Sequence, residues 1–208
     1  MSSTDRLSLD ARVLLHPARS FREQSVESPL SIRAALRRPL FLAVLLGCAT
    51  SIIATGVLTL RIALPASVYW AIVPAIELGA LMVALWPVRR RLNVARAVDT
   101  FFAGHGAWTA YLLWLAALIS FRPPELIWSL ITGWALVVLA AVIAWSAYVD
   151  FCFFRYAIGR SRPAAARDVL VSRLIAWTLV FGIFAVPNLS PPATMTEMSE
   201  VLRELSRP

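Results

Sequence analysis

The chain has 208 residues, of which 59% are hydrophobic and only 15% charged, and its mean hydropathy is +0.71. A soluble domain of this length carries about 25% charged residues, so the composition speaks against a water-soluble globule and for a chain largely surrounded by lipid. The formal net charge of +8 would suit a nucleic-acid partner, but all 20 basic residues are Arg and most sit between apolar blocks. That distribution is a topology signal, and no nucleic-acid partner is expected.

In chain order, residues 1–38 form a polar, Arg-rich N-terminal segment without the apolar run of a secretory signal. Its stretch "LSLDARVLLHPARSFREQ" sets Leu9, Val13 and Phe21 among arginines, and Pro17 divides it into two short helical pieces. Such a segment is expected to lie on the anionic lipid headgroups of the cytoplasmic face. His16 reads as a solvated side chain. Ser28 followed by Pro29 has the form of a cap and first turn, so a further helix is expected to start there.

A transmembrane domain over residues 39–187 follows, with five apolar blocks at 40–60, 66–86, 101–121, 126–148 and 169–186. Each has about the 20 residues that a helix needs to cross some 30 Å of hydrocarbon, and none alternates as a strand would. The fold class predicted is an all-α membrane protein with a bundle of five transmembrane helices and short amphipathic helices at both ends. Asp99 and Thr100 read as the cap of the third span, and Glu125, after Pro123 and Pro124, as the acidic start of the fourth. Tyr69, Trp70, Trp86, Trp128, Trp145 and Tyr148 fit an interfacial belt, whereas Trp108, Trp114, Trp134 and Trp177 are expected to pack inside the bundle. The tail, 188–208, offers Thr194 and Glu197 at capping-box spacing, then an apolar stripe of Met195, Met198, Leu202 and Leu205.

Sixteen arginines fall in the N-terminal segment and in the second and fourth connections, against four elsewhere. The alternation places the N-terminus in the cytoplasm and the C-terminus outside, as in a multi-pass protein of the bacterial cytoplasmic (inner) membrane. The connections "RIALP" and "RPPE" are short, so spans one and two, and three and four, are expected to be antiparallel hairpins. Cys48 and Cys152 fall at different depths, and no disulfide is expected between them.

The layout resembles that of the Yip family of five-span membrane proteins, in its bacterial branch. The residues that carry the likeness are Pro17 and Phe21 in "LLHPARSF", and Arg38 and Pro39 immediately before the first span. The resemblance implies an organiser of membranes or an adaptor, without chemistry or cofactor. It implies no particular partner, because the eukaryotic members' "DLYGP" and "GY" motifs are absent.

One acid stands inside an apolar block: Glu77, three residues after Pro74. An ionisable group in a span costs about 2.5–3.5 kcal/mol on insertion scales, so it asks for a reason. Glu77 is nine residues before Trp86, about 14 Å into the span, whereas His105 is four residues, about 6 Å, from the block edge at Phe101. The resulting offset of roughly 8 Å argues against a direct hydrogen bond and leaves a bridging water as the alternative. Two readings of Glu77 stand: a neutral structural group bonded to backbone or a neighbouring helix, or a proton- or substrate-linked group acting with Pro74 and His105. Gly104 and Gly106 flank His105 and would admit a close helix. Arg89, Arg90, Arg91 and Arg155 are expected to anchor the membrane face, with Asp150 pairing to Arg155 or to the triple arginine.

The sequence holds no metal-ligand spacing, no nucleophile beside a base and no phosphate-binding glycine loop. No catalytic residue, metal or cofactor is therefore assigned. The leading expectation is a non-enzymatic membrane organiser or accessory subunit that associates with a membrane-protein partner or a second copy of itself. A small permease or proton-coupled transport subunit using Glu77 is the alternative, and an intramembrane enzyme ranks third.

Overall fold

The computed structural model describes residues 8–24, 29–121 and 125–189, with side chains given outside 119–132 and 184–189. All regular structure among them is helical. Two short helices, α1 (Leu9–Leu15) and α2 (Pro17–Glu23), meet at His16, which is exposed. Ser8 caps α1 through its hydroxyl, and Pro17 opens α2, where its missing N–H costs nothing. One turn, α3 (Ile32–Ala35), capped by Ser31, leads into α4 (Arg37–Thr55). The start expected at Ser28–Pro29 is thus moved: Pro29 is not helical, and the side chain that meets an N–H of the first turn is that of Ser31.

The α4 helix ends on Gly56, at φ +76°, a left-handed conformation that glycine adopts without strain. The chain then reverses into α5 (Leu60–Trp70), which packs closely on α4. Ser51 ties this reversal, bonding Thr59 N at 2.9 Å and facing the Val57 and Thr59 carbonyls. Gly47 allows the contact, because a Cβ there would lie 2.1 Å from Ser67 Oγ and 2.6 Å from Ala63 O. A break at Ala71 separates α5 from α6 (Ile72–Leu85). Pro74 explains it: the ring removes one N–H and crowds the carbonyl four residues earlier, that of Trp70.

A single 3₁₀ turn, Arg89–Arg91, carries the triple arginine, and Arg89 stacks its guanidinium 3.2 Å from the centre of the Trp86 ring. Asn93 then caps α7 (Val94–Phe102), accepting from Arg96 N at 2.9 Å. Asp99 and Thr100 are therefore mid-helix and do not cap; Thr100 is fully buried, and Asp99 pairs with Arg38 and Arg96. A 3₁₀ turn over Ala103–His105 joins α7 to α8 (Gly106–Phe121). The next helix, α9 (Glu125–Cys152), ends in a π turn over Phe153–Ala157, and α10 (Arg162–Leu189) completes the described chain. It packs chiefly against α6.

Among the described residues four helical stretches are long and apolar enough to cross a membrane: Ile32–Thr55, Leu60–Leu85, Val94–Leu118 and Gly133–Ala157. They match the first four apolar blocks, with shifted ends. The tail stripe at Met195–Leu205, residues 122–124 and the side chain of Glu125 lie outside the described residues. Trp134, at 67% exposure, and Trp114 are exposed, which corrects the expectation that they fill the interior; Trp108 is half-buried, and Trp177, partly exposed, lines a cavity between the helices together with it.

The contiguous core gathers at one end of the bundle, not at mid-height. There Leu81, Leu85, Phe101, Phe102, Phe153 and Phe154 pack together, and Val13 and Phe21 insert from α1 and α2. The Phe21 ring is fully buried and meets Phe153 edge-on at 5.9 Å. Arg38 clamps the arrangement from the start of α4, bonding both oxygens of Asp10 and, through Nη1, the Asp99 side chain. The apolar face of the N-terminal segment is thus covered by protein. The expected lipid-facing placement of Phe21 and Val13 does not hold, because the bundle end presents an aromatic surface that fits them better than a bilayer headgroup layer.

Candidate functional site

Four helical elements each bring one ionisable side chain to the middle of the bundle. Glu77 comes from α6, His105 from the turn between α7 and α8, Asp150 from the end of α9, and Arg173 from α10. All four line a single cavity of about 470 Å³, together with Ser146 and Ser172 and an otherwise apolar wall.

His105 Nε2 lies 2.9 Å from Glu77 Oε2. The expected 8 Å offset in depth is overturned, and the cause is the start of the third span. Helix begins at Val94, seven residues before the apolar block does, which adds about 10 Å of rise below His105. The amphipathic first turns of α7 pack on α3 and α4 and carry no long apolar run, so hydropathy misplaced the register. Pro74 does not line the cavity; it breaks the helix one turn before Glu77, and the break at Ala71 sets the direction in which α6 enters the centre.

The imidazole is fixed on both faces. It stacks on Phe102 at 4.9 Å and meets Phe101 edge-on at 5.2 Å. Its Nδ1 is buried and meets no hydrogen-bond partner among the described residues. Gly104 permits this placement, because a Cβ there would come 2.8 Å from Val149 Cγ1 on α9. Gly106 faces Leu14 of α1 at ordinary contact distance. One of the two flanking glycines therefore admits a close helix, and the other does not need to.

Asp150 pairs with Arg173, not with Arg155 or the triple arginine. Arg173 Nη2 reaches Asp150 Oδ2 at 2.7 Å and Ser146 Oγ at 2.8 Å, and Nε adds a bond of 2.9 Å to the same carboxylate oxygen. Arg155 instead donates to the Arg160 carbonyl at 2.6 Å. Arg160 in turn holds the buried carboxylate of Asp168 at 2.7 Å. Arg173 was counted with the arginines of the fourth connection, although it lies four residues inside the fifth apolar block, 169–186. The helix begins at Arg162, which places Arg173 three turns in. An Asp and an Arg 23 residues apart give no sequence signal; only the turn over 153–161 makes them neighbours.

His105 also lines a second cavity, of about 460 Å³, beside Asp10, Arg37, Arg38 and Phe102. It thus stands between the central cavity and the charged end where α1 and α2 dock.

The arrangement can hold protons and can bind. In the Glu77–His105 contact either the imidazole donates Nε2–H to the carboxylate or a protonated carboxyl donates to Nε2, so one shared site serves two acid–base groups. Each charged group alone would be costly in an apolar bundle, and pairing offsets that cost. Among the described residues no group of three or more His, Cys, Asp or Glu could hold a metal ion, and Cys48 and Cys152 are both free thiols. Comparison of the chain with protein-family models, with curated proteins and with solved structures finds no match.

Proposed function

We propose that the chain is a small multi-pass membrane transport subunit, whose working centre is the Glu77–His105 pair and whose movement of solute is linked to a proton held there. The observation that carries the reading is the 2.9 Å contact of an acid and a base within a cavity that also contains a second, fully bonded ion pair. A bundle needing only polar glue would be served by the Asp150–Arg173 pair, which leaves the reason for Glu77 and His105 open to function. The cavity volume falls in the range of small-molecule sites. Stacked Phe102 and edge-on Phe101 hold the imidazole as a preorganised group.

In this reading five helices cross the bacterial inner membrane, α10 being the fifth, with α1 and α2 on the cytoplasmic side and the tail outside. The arginine asymmetry supports that orientation. The end where α1 and α2 dock would be the entrance to the second cavity, with Asp10, Arg37 and Arg38 at its rim. A membrane organiser of the Yip kind is the second reading. It is favoured by the Pro17–Phe21 element, whose phenyl ring docks into the bundle end as a fixed cap.

The test uses purified full-length protein in liposomes loaded with a pH-sensitive dye. A panel of amines, organic acids and neutral solutes that fit about 470 Å³ is added outside. Solute-evoked proton movement by the wild type, absent in Glu77→Gln and in His105→Gln, is the expected result. Absence of evoked proton movement with every member of the panel sinks the transport reading and leaves the organiser.

A further inference from the structure

We infer that the central cavity is a binding site for a hydrophobic organic cation, a lipophilic amine or quaternary cation, held by the Glu77 carboxylate against the rings of Trp70, Trp108 and Trp177. The inference deepens the transport reading and rests on it, because it names the class of solute that the proton-holding pair would exchange.

Charge decides the sign of the ligand. Arg173 is occupied: two bonds to Asp150 and one to Ser146 saturate one side of its guanidinium, and Nη1 turns to the Ile143 carbonyl at 3.4 Å. Among the described residues this is the one guanidinium on the cavity, and it is neutralised and offers little to an anion. In the form in which the neutral imidazole donates Nε2–H to the carboxylate, the remaining pair carries one net negative charge, on Glu77. The Glu77 side chain retains 25% of its surface, whereas His105 retains 12%. The acid is the more open partner. A cation entering the cavity meets an unbalanced carboxylate, and an anion meets none of the compensation it needs.

The wall decides the rest. Trp70 on α5, Trp108 on α8 and Trp177 on α10 all line the same cavity. Chain direction puts each of them beyond the ionic centre as seen from the end that α1 and α2 cap. Trp108 is three residues after His105, Trp177 four after Arg173, and Trp70 seven before Glu77 on a strand of helix running the opposite way. The Trp70 indole is held by its N–H bond to Thr50 Oγ1 at 2.8 Å, and Trp177 packs on Phe181 at 6.0 Å. Indole faces are the best side-chain partners of an organic cation, and a carboxylate beside three of them fixes its position. Apolar walls favour a ligand with a large hydrocarbon body over a small, strongly hydrated amine.

Competition with protons follows from the same charges. The ionisable groups facing the centre are Glu77 on α6, His105 after α7, Asp150 on α9 and Arg173 on α10; α4, α5 and α8 contribute only neutral side chains to this cavity. Behind His105 the second cavity adds Asp10, Arg37 and Arg38. Adding a proton to the Glu77–His105 pair cancels the net negative charge, so a bound cation and that proton exclude each other.

The experiment is calorimetric titration of tetraphenylphosphonium into the full-length protein in mild detergent, at pH 8.5 and 5.5, with proton release followed in weak buffer. Saturable binding near one equivalent is expected, weakened at least tenfold at the lower pH and accompanied by proton release. Glu77→Gln should weaken binding at least tenfold and remove its pH dependence, while eluting as a single species like the wild type. Trp177→Leu, which removes no ionisable group, should weaken binding at least threefold and keep the pH dependence, and it serves if the Gln variant does not fold. Absence of saturable binding to the folded wild type overturns the inference, as does equal affinity in folded Glu77→Gln. If tetraphenylphosphonium fails while organic acids still evoke Glu77-dependent proton movement in liposomes, the solute class is wrong and the transport reading stands. If it binds through Glu77 but no solute moves protons, the site stands and transport falls.

Discussion

Replacing Phe21 by alanine separates a protein-docked N-terminal segment from a lipid-docked one. The ring is fully buried and edge-on to Phe153. Truncating a buried phenylalanine costs about 3–5 kcal/mol. The other anchors of α1 and α2 are smaller. Val13 is worth about 1.5–3 kcal/mol by burial, and the Asp10–Arg38 pair, with Asp10 half exposed, about 1 kcal/mol or less. Loss of Phe21 therefore exceeds either of these two, and it should raise the population in which the two helices are undocked while α4–α10 stay folded. Trypsin reports this directly, because Arg12, Arg19 and Arg22 lie within α1 and α2 and are followed by Val, Ser and Glu. When cleavage samples a transient open state, its rate follows the population of that state, so 3 kcal/mol predicts a rise of at least a hundredfold in detergent. Equal cleavage of wild type and Phe21→Ala, both eluting as single species, would refute the docking. It would return the segment to the bilayer surface.

The Asp150–Arg173 pair should behave as a buried pair: Arg173→Leu leaves a carboxylate at 14% exposure without its partner and should cost about 3–5 kcal/mol of stability, whereas Asp150→Asn with Arg173→Gln should recover most of it. Thermal unfolding in one detergent compares the three proteins, and a double variant as unstable as the single would deny that the pair is a unit. Cysteine-accessibility labelling should place residues 89–96 and 156–167 in the cytoplasm and 191–208 outside. A cytoplasmic tail would leave an even number of crossings and remove α10 from the count.

The helical class and the break at Pro17 were legible in the sequence, because each has a local cause: apolar runs of about 20 residues, and a proline between two amphipathic pieces. The antiparallel pairing of the first two blocks was expected too, but with its connection at Arg61–Pro65; the chain instead reverses after Gly56, which lay inside the first apolar block, and Arg61–Pro65 is helical. Glu77 was legible as an anomaly and His105 as a candidate, but their contact was not. Depth was counted from the edges of apolar blocks, and a block edge marks where lipid contact begins, not where a helix begins. Both helices that supply the missing register, α7 and the first turns of α10, start in amphipathic or charged stretches whose buried faces meet protein. Asp99 shows the cost of that difference: read as a cap, it lies in the second turn of α7 and accepts from Arg38, 61 residues away.

The N-terminal segment poses a harder problem of the same kind. An apolar stripe on a short basic helix meets its requirement equally well on a bilayer or on a bundle, since lipid tails and Phe side chains are alike to a hydropathy scale. What distinguishes the two is shape and pairing. A bilayer has no counterpart to the edge of the Phe153 ring or to a guanidinium with an acid on each side. Arg38 stood out in the sequence as an arginine beside Pro39 adjoining an apolar block, and Asp10 is the one acid of the first piece. Neither names the other, because they are 28 positions apart. The bridge from Asp10 through Arg38 to Asp99 joins the cap to the helix that carries His105, so a change in docking at Phe21 would be felt three residues beyond Phe102, where the imidazole stacks.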